Sequence, residues 1–384
     1  MKCFLLLIFF VVHVERWLAD KIDSSLCRLK LGEAIWLVGE TPITGFSNQL
    51  CSVFSYIPLA QLLGSNLILG EMYSRKNFEI KMRQYDREKD AKIVLSFEDF
   101  FNFRWFKEFW SREKLKVYLV NDFSSCFLYA NLEKTKFIQR KKWRSATKSE
   151  LLDMINLSHV SLPPEAGTIF RFKSKFKMMA LYNFGSDKSD LLFKILDSIR
   201  PSLKVMNAID LIMKSLPTKF IAVHLRIEAD VIFYDRNSSE AFLHEDTHFL
   251  ASLPTIIGTI MNSICLRQFN SSSYALYIAS GAFNGKGLLL SRNREQVMRS
   301  ALKEKGFDAI YSSSDFLSAS PYESFHAEIL AYVDLEIARR SICFIPAHVP
   351  SSFSYLAQRV RELDKGILET HIPAPNRRYS SFFF

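Results

Sequence analysis

The sequence is poor in the residues that make a chain disordered or fibrous. It has 13 Gly and 12 Pro among 384 residues, and it has no low-complexity tract. Hydrophobic residues make up 48% and charged residues 23%. These proportions exclude an intrinsically disordered chain and indicate a globular protein with a sizeable core. The length favours two domains of moderate size over one large domain.

Cysteine is scarce, and its spacing excludes several classes of site. No CxxC pair occurs, and no His/Cys group has the spacing of zinc ligands. The wide spacing is typical of a large domain of the secretory pathway rather than of a small disulfide scaffold. If Cys3 is removed with a leader, at most two disulfides can form, and the pairing stays open. The 6 cysteines are Cys3, Cys27, Cys51, Cys126, Cys265 and Cys343.

No apolar run reaches the roughly 20 residues that a membrane-spanning helix needs. The run CFLLLIFFVV follows Lys2 and fits the apolar region of a secretory signal peptide, with cleavage near Ala19. A buried N-terminal strand or helix is the alternative. Sequons at Asn156, Asn237 and Asn270 agree with a lumenal route. We therefore expect a signal peptide or hydrophobic segment at 1–20, no stable membrane span in the mature chain, and residence in the lumen of the endoplasmic reticulum or Golgi.

The formal net charge of +10 is compatible with nucleic acid, an anionic membrane surface or a phosphorylated small molecule as partner. The basic residues are dispersed except at 134–148, and no nucleic-acid reading module occurs, so we expect no nucleic acid partner. The basic run at 132–148 predicts a solvated helix face. Contact with a membrane surface or an acidic partner is the alternative for that run.

Signatures of several enzyme classes are also missing. The sequence has no P-loop, nucleophile elbow, HExxH or kinase motif. It has no Asp-x-Asp motif that would hold a divalent metal on a diphosphate. A diphosphate would therefore have to be neutralised by arginine and by donors at helix ends. We expect no metal site and no required cofactor.

What is present is an alternation of strands and helices. Residues 34–40 predict a strand, 50–64 a helix and 66–71 a second strand, which is the βαβ unit of a parallel sheet. A second series begins after residue 203 and includes a strand at 220–227 and a strongly amphipathic helix at 324–341. The pattern predicts an α/β protein with two Rossmann-like domains, at 30–200 and 201–384, and a cleft between them. In such sheets ligands bind beyond the carboxyl ends of the strands.

The stretch VHLRIEAD at 223–230 places ionisable groups where a buried strand ends. Because side chains alternate along a strand, one face is apolar and the other carries polar groups. The apolar face holds Ile221, Val223, Leu225 and Ile227, and the other holds Ala222, His224, Arg226 and Glu228. The Arg226 guanidinium suits a phosphate pair or a carboxylate. Alternatively, Arg226 pairs with Glu228, and His224 is a satisfied core histidine.

Two further segments would meet the same cleft. In TGFSNQ (44–49), Gly45 permits a tight turn and Asn48 offers donor and acceptor groups; an ordinary turn with a helix N-cap is the alternative. Ser351, Ser352 and Ser354 stand at the start of a helix, where free N–H groups and the helix dipole favour an anion. Plain N-capping is the alternative there.

Five segments, in this order, resemble the GDP-fucose protein O-fucosyltransferase superfamily and span about 34–362. The resemblance implies a GT-B architecture and an inverting, typically metal-independent transferase. It would move fucose from GDP-fucose to a Ser/Thr hydroxyl of a protein in the secretory pathway, so its partners are a nucleotide sugar and a protein or glycan acceptor. The segments are TGFSNQLCSVFSYIPLAQLLGSNLIL, LSFEDFFNFRWFKEF, FIAVHLRIEAD, LYIASG and VDLEIARRSICFIPAHVPSSFSYLAQRV.

The resemblance also implies roles for single residues. Arg226 contacts the donor diphosphate and supports the departing nucleotide, and Asn48 lies by the sugar and phosphates. The base and phosphates are bound by Asp334 and by Ser352 or Ser354. The remaining residues of the implied donor site are His224, Gly45 and Phe46.

The sequence departs from the family in the first loop and, slightly, in the spacing between ICFIP and the serines that follow it. Some members carry an acidic residue just before the glycine of the first loop, a proposed base for the acceptor hydroxyl, whereas Thr44 stands here. The candidate bases are then Glu40, Glu228 and Asp230, which we leave unranked. Two alternatives stay open: a transferase that uses another nucleotide sugar, such as a rhamnose donor, on a polysaccharide, and a catalytically silent lumenal binding protein.

Overall fold

The structure is a computed structural model that describes residues 34–41, 45–75, 92–119, 135–139, 169–173, 188–227, 245–268, 274–281, 289–318, 321–347 and 351–365. The predicted signal segment at 1–20 lies outside these ranges. The chain divides into two compact units. The described residues of the first come from Met1–Thr41, Cys51–Glu71 and Arg104–Leu191, and those of the second from Pro42–Leu50, Met72–Phe103 and Leu192–Phe384. The boundary near residue 200 and the cleft stay predictions.

The described residues in the first half of the chain form seven strands, five of which belong to one sheet. The elements are β1 (Trp36–Glu40), α1 (Phe46–Leu63), β2 (Asn66–Leu69), β3 (Met72–Arg75), β4 (Lys92–Leu95), α2 (Phe97–Phe100), α3 (Phe103–Arg112), β5 (Val117–Leu119), β6 (Thr135–Gln139) and β7 (Ile169–Lys173).

The second half alternates strands and helices. The elements are α4 (Lys188–Asp197), α5 (Leu203–Ser215), β8 (Phe220–His224), α6 (Glu245–Met261), α7 (Ile264–Gln268), β9 (Ala275–Ala279), α8 (Leu289–Glu304), β10 (Ile310–Ser312), α9 (Ser314–Leu317), α10 (Ala327–Arg340), β11 (Cys343–Ile345) and α11 (Ser352–Lys365).

The first unit contains a five-stranded sheet in the order β5-β2-β1-β7-β6. Every pairing in it is parallel, so the predicted βαβ opening is confirmed. The prediction of a helix face at 132–148 is wrong at Thr135–Gln139, which form the edge strand β6 beside β7. The basic side chains there misled the prediction, since charged residues also occur on edge strands, where they discourage pairing with another chain.

The second unit contains a four-stranded parallel sheet in the order β10-β9-β8-β11. From β8 the chain moves to β9 and then to β10, and it afterwards returns to the other side of β8 to form β11. The strand order therefore reverses between β8 and β11. Such a reversal leaves a crevice at the carboxyl ends of the two strands, where α/β proteins bind ligands.

Both faces of this sheet are covered by helices. Ile221, Val223, Leu225 and Ile227 lie in one buried cluster with side chains of α6 and α8, which confirms the predicted apolar face. The opposite face meets α10, which packs against β8, β9, α5 and α11. A parallel sheet buried on both faces is the arrangement that helical crossovers impose.

Helix α10 is buried over most of its surface, because 11 of its 14 residues are buried. The amphipathic pattern predicted a polar face, but that face meets protein rather than solvent. Its three buried acidic residues have partners: Glu328 accepts from the Ser74 hydroxyl, Asp334 from the Tyr277 hydroxyl, and Glu336 from Arg340. Buried charges are tolerated when they are paired in this way.

One disulfide, between Cys265 and Cys343, joins α7 to β11 across 78 residues. Cys51 is a buried thiol on α1, and the other three cysteines lie outside the described ranges. Among the helices that the structure describes, none combines the length and the apolar character needed to cross a bilayer.

Candidate active site

The crevice between β8 and β11 is organised around His224, the last residue of β8, which is 6% exposed. Its Nδ1 lies 2.8 Å from the Ser354 hydroxyl, and its ring lies 4.6 Å from that of Phe353. The Ser354 oxygen also accepts a hydrogen bond from the Ala347 N–H at 2.9 Å. Ser354 therefore ties the start of α11 both to β8 and to the segment after β11.

Arg226 stands two residues beyond the end of β8 and is partly exposed. The backbone on either side of it is fixed. The Leu225 N–H donates to the Ala279 carbonyl at 3.0 Å, and the Ile227 carbonyl accepts from Arg294 Nη1 at 3.0 Å. Because Leu225 and Ile227 are both buried, their side chains anchor the segment, and Arg226 extends from the opposite side of it.

The start of α11 offers a helix N-terminus at the same edge of the sheet. Ser351 is the N-cap: its hydroxyl accepts from the Phe353 N–H at 3.2 Å, and its carbonyl accepts from the Tyr355 N–H at 3.1 Å. Ser351 therefore performs the N-capping that was the alternative explanation for this serine cluster. Ser352 is the first residue of the helix, where backbone N–H groups and the dipole favour an anion.

The first loop leads into α1, which begins at Phe46, four residues before the predicted start at residue 50. The Gly45 carbonyl accepts from the N–H groups of Asn48 and Gln49 at 3.0 and 3.2 Å. Phe46 is buried, and its ring packs 5.6 Å from that of Phe100 and 5.2 Å from that of Tyr332. Asn48 therefore lies in the first turn of α1, and Phe46 in the same turn packs against an aromatic cluster.

Asp334 lies on α10 beneath the ends of β9 and β10, and it is 3% exposed. Its Oδ1 accepts from the Tyr277 hydroxyl at 2.6 Å. Burial raises the pKa of the Asp334 carboxyl from 3.8 to about 7, and donors from Tyr277, Ser313 and the Ser280 backbone offset part of that rise. The carboxyl group thus braces β9 and the segments that follow β9 and β10.

The candidate bases fall largely outside the described residues. Glu228, Asp230 and the departing position Thr44 are not in the described ranges. Glu40 is the last residue of β1, and its side chain is not described. In the ranges that the structure covers, no three His, Cys, Asp or Glu side chains group as metal ligands.

The structure brings some of the predicted site residues together and adds others. His224 and Ser354 are in contact, and Phe46 packs on Tyr332 of the helix that carries Asp334. Tyr277 was missed, although a tyrosine within the aliphatic strand ALYIA was a usable signal. Arg294 and Glu328 were missed because polar residues on predicted helices are expected to face solvent. Gln49 was missed because it falls at the end of the predicted loop at 44–49.

Comparison with known proteins finds structures with a similar fold but no matching sequence family. No protein-family model matches the chain, and no curated protein matches it significantly. A crystal structure of POFUT1 in complex with GDP-fucose matches with a TM-score of 0.50 at 14% identity, covering 86% of this chain and 94% of that one. The fucosyltransferase NodZ from Bradyrhizobium matches with a TM-score of 0.45 at 15% identity, covering 84% and 92%. The POFUT1 match shows that the two chains share an α/β fold.

Proposed function

We propose that the chain is an inverting glycosyltransferase that transfers fucose from GDP-fucose to an acceptor hydroxyl. The observation that carries the proposal is the crevice between β8 and β11, where Arg226 follows a strand whose last residue, His224, is bonded to the start of α11. The fold shared with POFUT1, whose crystal structure holds GDP-fucose, supports the choice of donor.

The reaction is a displacement at the anomeric carbon. The acceptor oxygen forms a bond to that carbon on the face opposite the leaving group, while the bond from the carbon to the phosphate oxygen breaks and its electron pair leaves with GDP. Negative charge therefore builds on the diphosphate. Arg226 and the N–H groups at the start of α11 are donors suited to that charge, and fixed donors are most effective where water is excluded.

The proposed roles of the other residues follow from their contacts. Ser352 is the better candidate for a phosphate contact, because the Ser354 oxygen is already bonded to His224 and Ala347. His224 orients the crevice through Ser354 rather than transferring a proton. Asn48 and Gly45 would meet the sugar and phosphates, Phe46 would support them from the core, and Asp334 would shape the base pocket through Ser280.

Removal of the acceptor proton requires a base, for which Glu40, Glu228 and Asp230 remain the candidates. We propose a Ser/Thr hydroxyl of a protein as acceptor and a GT-B cleft between two Rossmann-like domains as the place of reaction. The lumen of the endoplasmic reticulum or Golgi is the proposed compartment. The Cys265–Cys343 disulfide supports it, because disulfides persist in oxidising compartments.

The test combines calorimetric titration of the purified protein with GDP and with GDP-fucose and an assay of turnover by release of GDP from GDP-fucose, for wild type and Arg226→Ala. We expect the wild type to bind both ligands and Arg226→Ala to keep its fold while losing roughly 10²–10³-fold in turnover, since loss of one such donor typically costs that much. The matched control is Arg104→Ala, the same change at a side chain that is 90% exposed, which should bind and turn over as wild type does.

Normal turnover by a folded Arg226→Ala would contradict the proposed role of this arginine. A wild type that binds neither GDP nor GDP-fucose would contradict the proposed donor. In that case the same titration with other nucleotide sugars, including a rhamnose donor, separates a transferase of different specificity from a silent binding protein.

A further inference from the structure

Gln49 is a fully buried amide one residue after Asn48, and its exposed fraction is 0%. Its Nε2 donates to the Tyr73 carbonyl at 2.7 Å, and its Oε1 accepts from the Tyr73 N–H at 2.8 Å. The side chain therefore bonds both backbone groups of one residue of β3, as a neighbouring strand would. Tyr73 pairs with Val94 of β4, so Gln49 occupies the other edge of β3.

The next residue of β3 continues the connection. Ser74 is 1% exposed, and its hydroxyl donates to a carboxylate oxygen of Glu328, which is also 1% exposed. Glu328 lies in the first turn of α10, the helix that carries Asp334. One strand of four residues thus bonds the first turn of α1 on one side and the first turn of α10 on the other.

We infer that Gln49 is a positioning residue of the donor site, and that it fixes Asn48 relative to α10 through Tyr73, Ser74 and Glu328. This inference rests on the proposed function, in which Asn48 lies by the sugar. An amide suits the task because it alone among uncharged side chains presents a donor and an acceptor side by side. Both hydrogen bonds are buried, so water cannot replace them at the backbone of β3 without a cost in free energy.

A positioning role differs from a packing role in what it does to catalysis. The proposed diphosphate contacts of Arg226 and Ser352 lie on other elements, so loss of the amide should lower GDP affinity much less than kcat. Asn48 should be displaced relative to the reacting sugar, and the rate should fall. A displacement of about 1 Å at a reacting centre can lower the rate by roughly 10²-fold.

The experiment uses the full chain with Gln49→Met, which keeps the length of the side chain and removes both hydrogen bonds. Calorimetry with GDP gives the affinity and the fraction of molecules that are folded and competent, and steady-state kinetics with GDP-fucose gives kcat and KM. We expect an unchanged GDP stoichiometry, a kcat reduced by roughly 10- to 100-fold, and a much smaller loss of GDP affinity. Hydrogen exchange should rise together at Tyr73 and in residues 46–50.

The matched control is Ser198→Ala, which removes a fully buried hydroxyl that donates to the Ile195 carbonyl at 2.6 Å. It should lower stability to a similar degree and leave kcat unchanged. Ser74→Ala serves as a second variant, since it breaks only the bond to Glu328; it should lower kcat in the same direction and by a smaller factor than Gln49→Met.

Two results would overturn the inference. The first is a Gln49→Met protein with normal GDP stoichiometry whose kcat stays within about twofold of wild type. The second is faster hydrogen exchange in residues 46–50 without any change at Tyr73. A wild type that binds no GDP-fucose would instead reject the proposed function, and the exchange measurement would still decide whether Gln49 holds the two segments together.

Discussion

Asp334 shows how a single buried carboxyl group can make stability depend on pH. Its raised pKa, from 3.8 to about 7, is caused first by burial. A carboxyl whose pKa is higher in the folded protein than in the unfolded chain binds its proton more tightly when folded. Its stabilising contribution is therefore complete below about pH 4 and is lost as the pH rises through about 7.

We predict that Asp334→Asn removes this dependence. As the pH rises from about 4 to about 8, the wild type should lose stability relative to the variant. The loss in free energy of unfolding should be on the order of 4 kcal/mol at most. Urea denaturation across that pH range measures it. Asp210→Asn, the same change at an exposed position, is the control, and a difference for Asp334→Asn that does not vary with pH would contradict the prediction.

At the scale of elements, β1 and α1 are in unusually close contact at Gly39. A Cβ atom at this position would lie 2.2 Å from Cδ2 of the Tyr56 ring, and Tyr56 is 0% exposed. The ring would therefore have to shift to admit a side chain. The strand and the helix of this βαβ unit therefore pack together through a position where only glycine fits.

We predict that Gly39→Ala lowers the free energy of unfolding by about 1–3 kcal/mol, the usual cost of overpacking a core. Gly258→Ala is the opposite case, because nothing lies within 4 Å of the added Cβ in helix α6. That change should stabilise the protein by about 0.5–1 kcal/mol, since alanine favours helix over glycine. Equal effects of the two substitutions on the denaturation midpoint would refute the packing argument.

The elements also show how far sequence reasoning reaches. The alternation of apolar and polar residues in the sequence identified β8 and its apolar face, because successive side chains on a strand point to opposite faces of the sheet. It did not reveal the buried partners of α10, where Glu328 and Asp334 accept hydrogen bonds from residues distant in sequence. Such partners cannot be read from local spacing. The residues that meet at His224 and Ser354 were both singled out by their places at a strand end and a helix start, whereas the contact of Gln49 with Tyr73 had no local signal.

At the scale of the whole molecule, the Cys265–Cys343 disulfide links α7 to the strand that borders the crevice. A cross-link across 78 residues restricts the unfolded chain, and the chain-entropy model assigns such a loop roughly 4 kcal/mol. Cys343 pairs in register with Ile221 of β8. Reduction should therefore loosen the strand pair on which His224 and the start of α11 depend.

We predict that reductant lowers the stability of the wild-type protein by about 2–5 kcal/mol, measured as a shift of the urea midpoint with and without dithiothreitol. A Cys265→Ala/Cys343→Ala double variant should start from the lower stability and should not respond to reductant. Cys51→Ala controls for the buried thiol, and it should still respond as the wild type does. If the wild type is unaffected by reductant, the bond is not formed in the purified protein, and the argument for an oxidising compartment loses its structural support.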